Sequence, residues 1–310
     1  MVLLNQSPRE LSEEVQILFL RACIALSMIG FIGCSLLLGT AILSNSVHRH
    51  LTWFSFIFSW IVSCVSYLLL LFSNQLESLD PPFGVCLTQA TLIYSAPPLT
   101  AASTLSLIAQ VYFNIRGLIS HELRRNENIR SMILILVPYF LHAGVTVGAL
   151  ILGLKDPATV QREDLDTPYC NMKNRIPSKI ASISVVILII PTLGIEALII
   201  LNLRRHWTVF KNQKPSLSTA LRVTVFSFFG VVAVAVSVLF ASTKDRSPEL
   251  NIIISSLSLV AFLIFSSQAD ILSVWMFWRR KPIRSPTDEL EDSSSELRSH
   301  LHLSRDSIES

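Results

Sequence analysis

IASISVVILIIPTLGIEALIILNL, residues 180–203, decides the fold. Its 24 residues carry one charge, Glu196. Roughly 20 apolar residues in a helix match the hydrocarbon thickness of a bilayer. Backbone polar groups cannot stay unpaired in hydrocarbon, so a run of this length reads as a membrane-crossing α-helix.

Six more runs of the kind lie outward from it: Ala22–Ser44, Leu51–Ser73, Leu87–Phe113, Met132–Leu154, Val223–Ser242 and Ile252–Trp278. Asp270, in the last, is the only charge in these six. The composition agrees. Of 310 residues, 51% are hydrophobic and 15% charged, with mean hydropathy +0.54; soluble domains carry about 25% charged residues. A net charge of +3 is too small to point to a nucleic-acid partner. The expected fold is an all-α seven-helix transmembrane bundle over 16–284. It is flanked by a short polar N-terminal segment, 1–15, that does not read as a secretory signal. Neither an internal repeat nor matched broken segments of a repeat-built transporter can be seen.

Lys and Arg in the connections set the orientation. One set of flanks holds fourteen of them, including Arg49, Arg116, Arg124, Arg125, Arg130, Arg204, Arg205 and Arg222. The other holds nine, five of which fall in the single long loop 155–179. The N-terminus is therefore expected outside and the tail in the cytoplasm, with the plasma membrane as the expected location. Trp53, Trp207 and Trp278 fall near helix ends, where aromatic belts meet headgroups. Arg279-Arg280-Lys281 opens the tail with a cluster attracted to anionic lipid. Residues 285–310 are rich in Ser and acid, which predicts a disordered cytoplasmic tail that is either phosphorylated or simply solvated.

Of five cysteines, Cys86 lies at the outer mouth of the third span and Cys170 in the loop between the fourth and fifth. Both would face an oxidising compartment, where a bridge persists. Cys23, Cys34 and Cys64 lie inside spans and read as packing residues. Two unrelated thiols are the alternative.

With this cysteine placement the chain resembles the G-protein-coupled receptor superfamily over residues 16 to 284. More closely, it resembles the receptor-like seven-helix proteins of mushroom-forming fungi. That likeness rests on Arg49-His50-Leu51-Thr52-Trp53 leading into Phe58-Ser59-Trp60-Ile61-Val62-Ser63. Cys86-Leu87-Thr88-Gln89-Ala90 followed by Tyr94-Ser95-Ala96-Pro97-Pro98-Leu99 carries it further. The resemblance implies ligand sensing and a heterotrimeric G-protein partner. It also has departures. The Asp-Arg-Tyr triplet of rhodopsin-like receptors falls on Gln110-Val111-Tyr112, helix six lacks Trp and Pro, and Asp270-Ile271-Leu272-Ser273-Val274 stands where Asn-Pro-x-x-Tyr is expected.

Ionisable groups in a span cost about 2.5–3.5 kcal/mol on insertion scales and are functional candidates by default. Glu196 lies eight residues before Arg204, about 12 Å inside the boundary, and Asp270 nine before Arg279, about 13 Å inside. An intramembrane polar switch of Gln110, Glu196 and Asp270 is expected, with Arg222 or a bound cation as counter-charge. Protonated, merely structural carboxyls are the other reading. Pro97-Pro98 should kink or unwind helix three, and Pro191 should kink helix five. A ligand pocket is expected in the outer half among Gln89, Tyr94, Pro97, Pro98, Thr100 and His142. A lone histidine such as His142 also suits plain packing.

Residues 252–278 contain no lysine, which excludes a retinal Schiff base. His142 is the only histidine well inside a span, which speaks against a metal hydrolase. No catalytic or metal site and no cofactor is expected. The expected function is receptor signalling for a small-molecule or peptide ligand. The basic inner residues Arg116, Arg124, Arg125, Arg204 and Arg205 would meet an acidic cytoplasmic partner, or serve only as anchors at the lipid surface. The competing function is transport of a small solute, ion or proton through Glu196 and Asp270.

Overall fold

A computed structural model describes residues 8–44, 49–119, 127–162, 167–205, 221–232 and 249–276. The elements run α1 (Pro8–Leu43), α2 (Leu51–Phe72), α3 (Phe83–Ile119) and α4 (Glu127–Lys155). A short hairpin follows, β1 (Val160–Gln161) with β2 (Asn171–Met172). Then come α5 (Ile176–Arg205), α6 (Leu221–Val232), α7 (Glu249–Ser266) and α8 (Ala269–Trp275).

Five helices are long and apolar enough to cross a bilayer: α1 to α5. The sixth and seventh expected spans appear as the shorter apolar stretches Leu221–Val232 and Ile252–Ser266. Residues 233–242 of the sixth, together with Trp207, Trp278 and the basic and acidic tail, lie outside the described residues. The chain is an integral membrane protein with a helical bundle architecture.

Side-chain exposure bears this out. Most of the apolar length of α3 is buried, and little of α4 and α5. Phe140, Ile187 and Ile190 are among the large apolar side chains left bare on α4 and α5. Water would not tolerate a face of that size, whereas acyl chains solvate it. α3 is the central post, packed by α2, α4 and α5, while α1 packs on α2 and α7.

Small residues let α1 and α7 meet closely. A Cβ on Gly30 would collide with Ser258 Oγ, and one on Gly33 with the Phe262 ring. Lipid tails are as apolar as the helices, so close van der Waals contact does the work that burial does in water. Gly33→Leu should therefore lower stability in detergent by about 1–3 kcal/mol, the cost of overpacking. Gly148→Ala, where an added Cβ meets nothing within 4 Å, should be neutral or slightly stabilising. Equal melting temperatures for these two variants would contradict the contact.

α2 ends in a left-handed cap. Asn74 has φ +54°, its N–H bonds to the Leu71 carbonyl at 3.0 Å, and the Gln75 N–H bonds to the Leu70 carbonyl at 2.8 Å. Asparagine tolerates that conformation better than most residues. The prolines expected to kink or unwind α3 and α5 lie inside unbroken helices. α3 runs without interruption through Pro97 and Pro98, as α5 does through Pro191. The break falls instead in the last span, where Gln268 adopts an extended backbone (φ −69°, ψ 133°) between α7 and α8. No proline or glycine is present there. Beside the break, Ser266 and Ser267 donate back to the carbonyls of Leu263 and Ile264 at 3.2 and 2.7 Å. The Arg222 guanidinium from α6 then takes up the Ser267 carbonyl at 3.0 Å. A carbonyl released from a helix in the bilayer needs a donor, and Arg222 supplies it.

Candidate functional site

At one end of the bundle the loop after α4 is fastened over α2, α3 and α4. Cys86 and Cys170 form a disulfide with their Cα atoms 5.3 Å apart. Gln89, fully buried, donates to the Ser66 carbonyl on α2 at 3.2 Å, and its Oε1 accepts the Cys170 N–H at 2.9 Å. The Tyr94 hydroxyl accepts the Met172 N–H at 3.0 Å. Val160 pairs with Met172 and Gln161 with Asn171 in the hairpin. Arg162, 4% exposed, donates to the carbonyls of Leu76, Ser78 and Thr167 at 2.6, 3.0 and 3.0 Å. One guanidinium thus ties the hairpin to the α2–α3 connection. Its fork of five donors makes that geometry available to arginine and not to lysine.

This changes the reading of the expected ligand pocket. Gln89 and Tyr94 hold the loop. Thr100 Oγ1 donates to the Pro97 carbonyl on its own helix at 3.0 Å. His142 Nδ1 lies 3.2 Å from the Ser95 carbonyl, joining α4 to α3. A cavity of about 300 Å³ lies elsewhere, on the outer face of α4 and α5, lined by residues including Phe140, Gly144, Gly148 and Ile180. None of the six expected pocket residues lines it.

At the opposite end, where Arg116, Arg204 and Arg205 close their helices, charge is arranged as a set of ties. The Arg49 guanidinium forms an ion pair with the Asp270 carboxylate and stands 6.0 Å over the Trp53 ring. Burial pulls the Arg49 guanidinium below its ordinary value, Asp270 opposes that, and nearby Arg222 adds to it. The group stays charged, because an arginine starts so high. Gln110 donates to Asn114 Oδ1 at 2.9 Å, and Asn114 Nδ2 lies 3.1 Å from His50 Nε2 at the start of α2. Trp275 on α8 donates to Thr40 Oγ1 on α1 at 2.9 Å.

The four residues expected to form a switch are placed in different contacts. Asp270 takes its counter-charge from Arg49, not Arg222, because the helix break puts Asp270 in the first turn of α8, beside the α1–α2 connection. Arg222 is engaged with Ser267, and Gln110 with Asn114. Glu196 belongs to neither tie: its carboxyl faces Ser227 on α6. Of the expected partner-facing arginines, Arg116, Arg204 and Arg205 are exposed, with Arg116 reaching the Tyr112 hydroxyl at 3.3 Å. Arg124 and Arg125 lie outside the described residues.

Between the two ends sits an aromatic block that the sequence reading missed. Phe226 on α6 contacts Phe56 and Trp60 on α2 with centroids 5.3 and 5.5 Å apart, and Phe265 on α7 at 6.2 Å. Among the described residues, Trp60 Nε1, Ser103 Oγ and both ends of the Gln268 carboxamide are buried without a hydrogen-bond partner. An orphaned buried polar group costs about 1–3 kcal/mol. Among the described residues no three His, Cys, Asp or Glu side chains converge as a metal site would need.

No protein-family model matches the chain, and no curated protein is significantly similar to it. Geometry and chemistry therefore carry the functional reading.

Proposed function

We propose that the chain is a seven-helix receptor of the plasma membrane, with its N-terminus outside and its tail in the cytoplasm. It senses a small-molecule or peptide ligand and signals through its basic inner loops to a heterotrimeric G protein. The observation that carries this reading is the set of ties at the basic end. Arg49–Asp270 and Arg222–Ser267 fasten α6 and the broken last helix against the α1–α2 connection. Side-chain ties of this kind hold one arrangement and release another, as a two-state element requires. They lie beside exposed Arg116, Arg204 and Arg205, a surface suited to an acidic partner. The resemblance to the fungal receptor-like proteins points the same way.

The test is a complementation assay for engagement of a G-protein α-subunit. Arg222→Ala, which unfastens α6 without any ligand, should raise basal engagement several-fold over the unmodified protein. Absence of engagement in both proteins, across a ligand screen, would sink the receptor reading.

One observation favours a second reading, transport. Glu196 is 7% exposed inside its span, as a residue on an ion or proton path would be. Proteoliposomes should then show proton or cation flux that Glu196→Gln abolishes.

A further inference from the structure

We propose that a slot on the lipid-facing side of α4 and α5 binds a long-chain fatty acid, taken up from the bilayer with its carboxylate at the hairpin end. That this molecule is also the stimulus rests on the receptor reading; the site itself does not. The cavity of about 300 Å³ described above supplies the geometry. Along α4 its lining runs from Phe140 through Gly144 and Gly148 to Leu152, facing Pro177 and Ile180 on α5. Twelve residues of helix separate Phe140 from Leu152, a length of about 18 Å. One leaflet supplies about 15 Å of hydrocarbon, half of the roughly 30 Å core. The slot thus reaches from the helix ends beside the hairpin to about mid-bilayer, the span of one acyl chain.

The walls and the mouth identify the ligand. A Cβ added at Gly144 or Gly148 meets nothing within 4 Å, so the slot stays open along α4. Val145 and Ala149, both buried, form its floor. Ser184 carries the one polar side chain among the described lining residues, and its hydroxyl donates to the Ile180 carbonyl on its own helix at 2.8 Å. A chain without polar atoms is what such walls accept. The volume lies at the small end for ligand sites, which suits one chain. Charge gathers at the mouth. Residues 153–157 and 174–180 frame it and carry Lys155, Arg175 and Lys179 against one acid, Asp156, all exposed. Lys155 also continues the α4 row Val145, Gly148, Leu152 at helical spacing. Basic side chains at headgroup level select an anionic head. The hairpin lies over the end of the bundle, fastened through Cys170, Gln89, Tyr94 and Arg162, whereas the slot opens sideways to lipid.

The test uses the full-length protein in phosphatidylcholine nanodiscs with palmitic acid that carries a mid-chain diazirine. After irradiation, labelled peptides should map to 140–152 and 177–184 above every other lipid-facing segment. Gly148→Leu fills the slot and should cut that labelling about tenfold. Gly39→Leu on α1, where an added Cβ also meets nothing within 4 Å, should leave it unchanged. Lys155→Gln, a change outside the slot, should lower labelling by about fivefold, since one lysine near a lipid surface is worth about 1 kcal/mol. The matching hexadecanol probe should be indifferent to that change. Labelling spread evenly over the lipid-facing helices, the pattern of annular lipid only, overturns the proposal. So does an acid probe whose labelling survives both Gly148→Leu and Lys155→Gln. Labelling of the slot without a rise in G-protein engagement upholds the site and counts against the receptor reading instead.

Discussion

Cys86→Ser, Cys170→Ser and the double variant should all lose the same amount of stability, and a large one. The bridge joins residues 84 positions apart. Chain-entropy reasoning gives about 4.5 kcal/mol for a closed loop of that length in a fully unfolded chain. A membrane protein unfolds with its helices largely kept, so the ensemble being constrained is smaller and about 2–3 kcal/mol is expected. Equality of the three variants is the sharper part, because one bond cannot be lost twice. The protein carries its own reporter. Cys23, Cys34 and Cys64 are free and buried, so a thiol-reactive dye reads melting as they emerge. A double variant weaker than either single by more than experimental error would mean that the two sulfurs stabilise separately. Arg162→Ala should add to the loss, since the hairpin would then be anchored mainly through Gln89 and Tyr94.

The second large effect concerns Arg49 and Asp270. Their side chains are 18% and 33% exposed, so the pair lies between surface bridges, worth up to about 1 kcal/mol, and buried ones, where removing one partner costs about 3–5 kcal/mol. Asp270→Asn should cost about 2 kcal/mol and leave the Arg49 guanidinium facing Arg222 with less compensation. Arg49→Gln should cost a similar amount, and the double variant clearly less than the sum. The exchange Arg49→Asp with Asp270→Arg should restore part of the loss, which a role in mere surface charge would not. If the receptor reading holds, the same single substitutions raise basal G-protein engagement. Strict additivity of the two substitutions in melting temperature would show that the ion pair contributes nothing.

The helices were legible because lipid as solvent makes a simple demand: about 20 apolar residues and a paired backbone. Leu51–Ser73 was expected and Leu51–Phe72 is found. The disulfide was legible for a similar reason, since only Cys86 and Cys170 lie outside the apolar runs. What the sequence left unread was which face of each helix turns inward. Arg49 reads as one more positive charge near an inner boundary; its partner stands 221 positions away, and no periodicity announces that. Phe56, Trp60, Phe226 and Phe265 look like four ordinary aromatics among many, and only packing makes them one block. Pro97 and Pro98 were the obvious places for a broken helix. The helix nevertheless runs through both of them. The interruption came instead at Ser266-Ser267-Gln268, where hydroxyls compete for carbonyls and an arginine stands ready to take one.

That interruption has a mechanical consequence. α7 is pinned to α1 at Gly30 and Gly33, and α8 is pinned to the same side through Thr40 and Arg49, so both halves of the last helix belong to one stationary wall. α6 meets that wall through Arg222 and the edge of Phe226. Any shift of α6 against that wall would have to break the Arg222–Ser267 contact first.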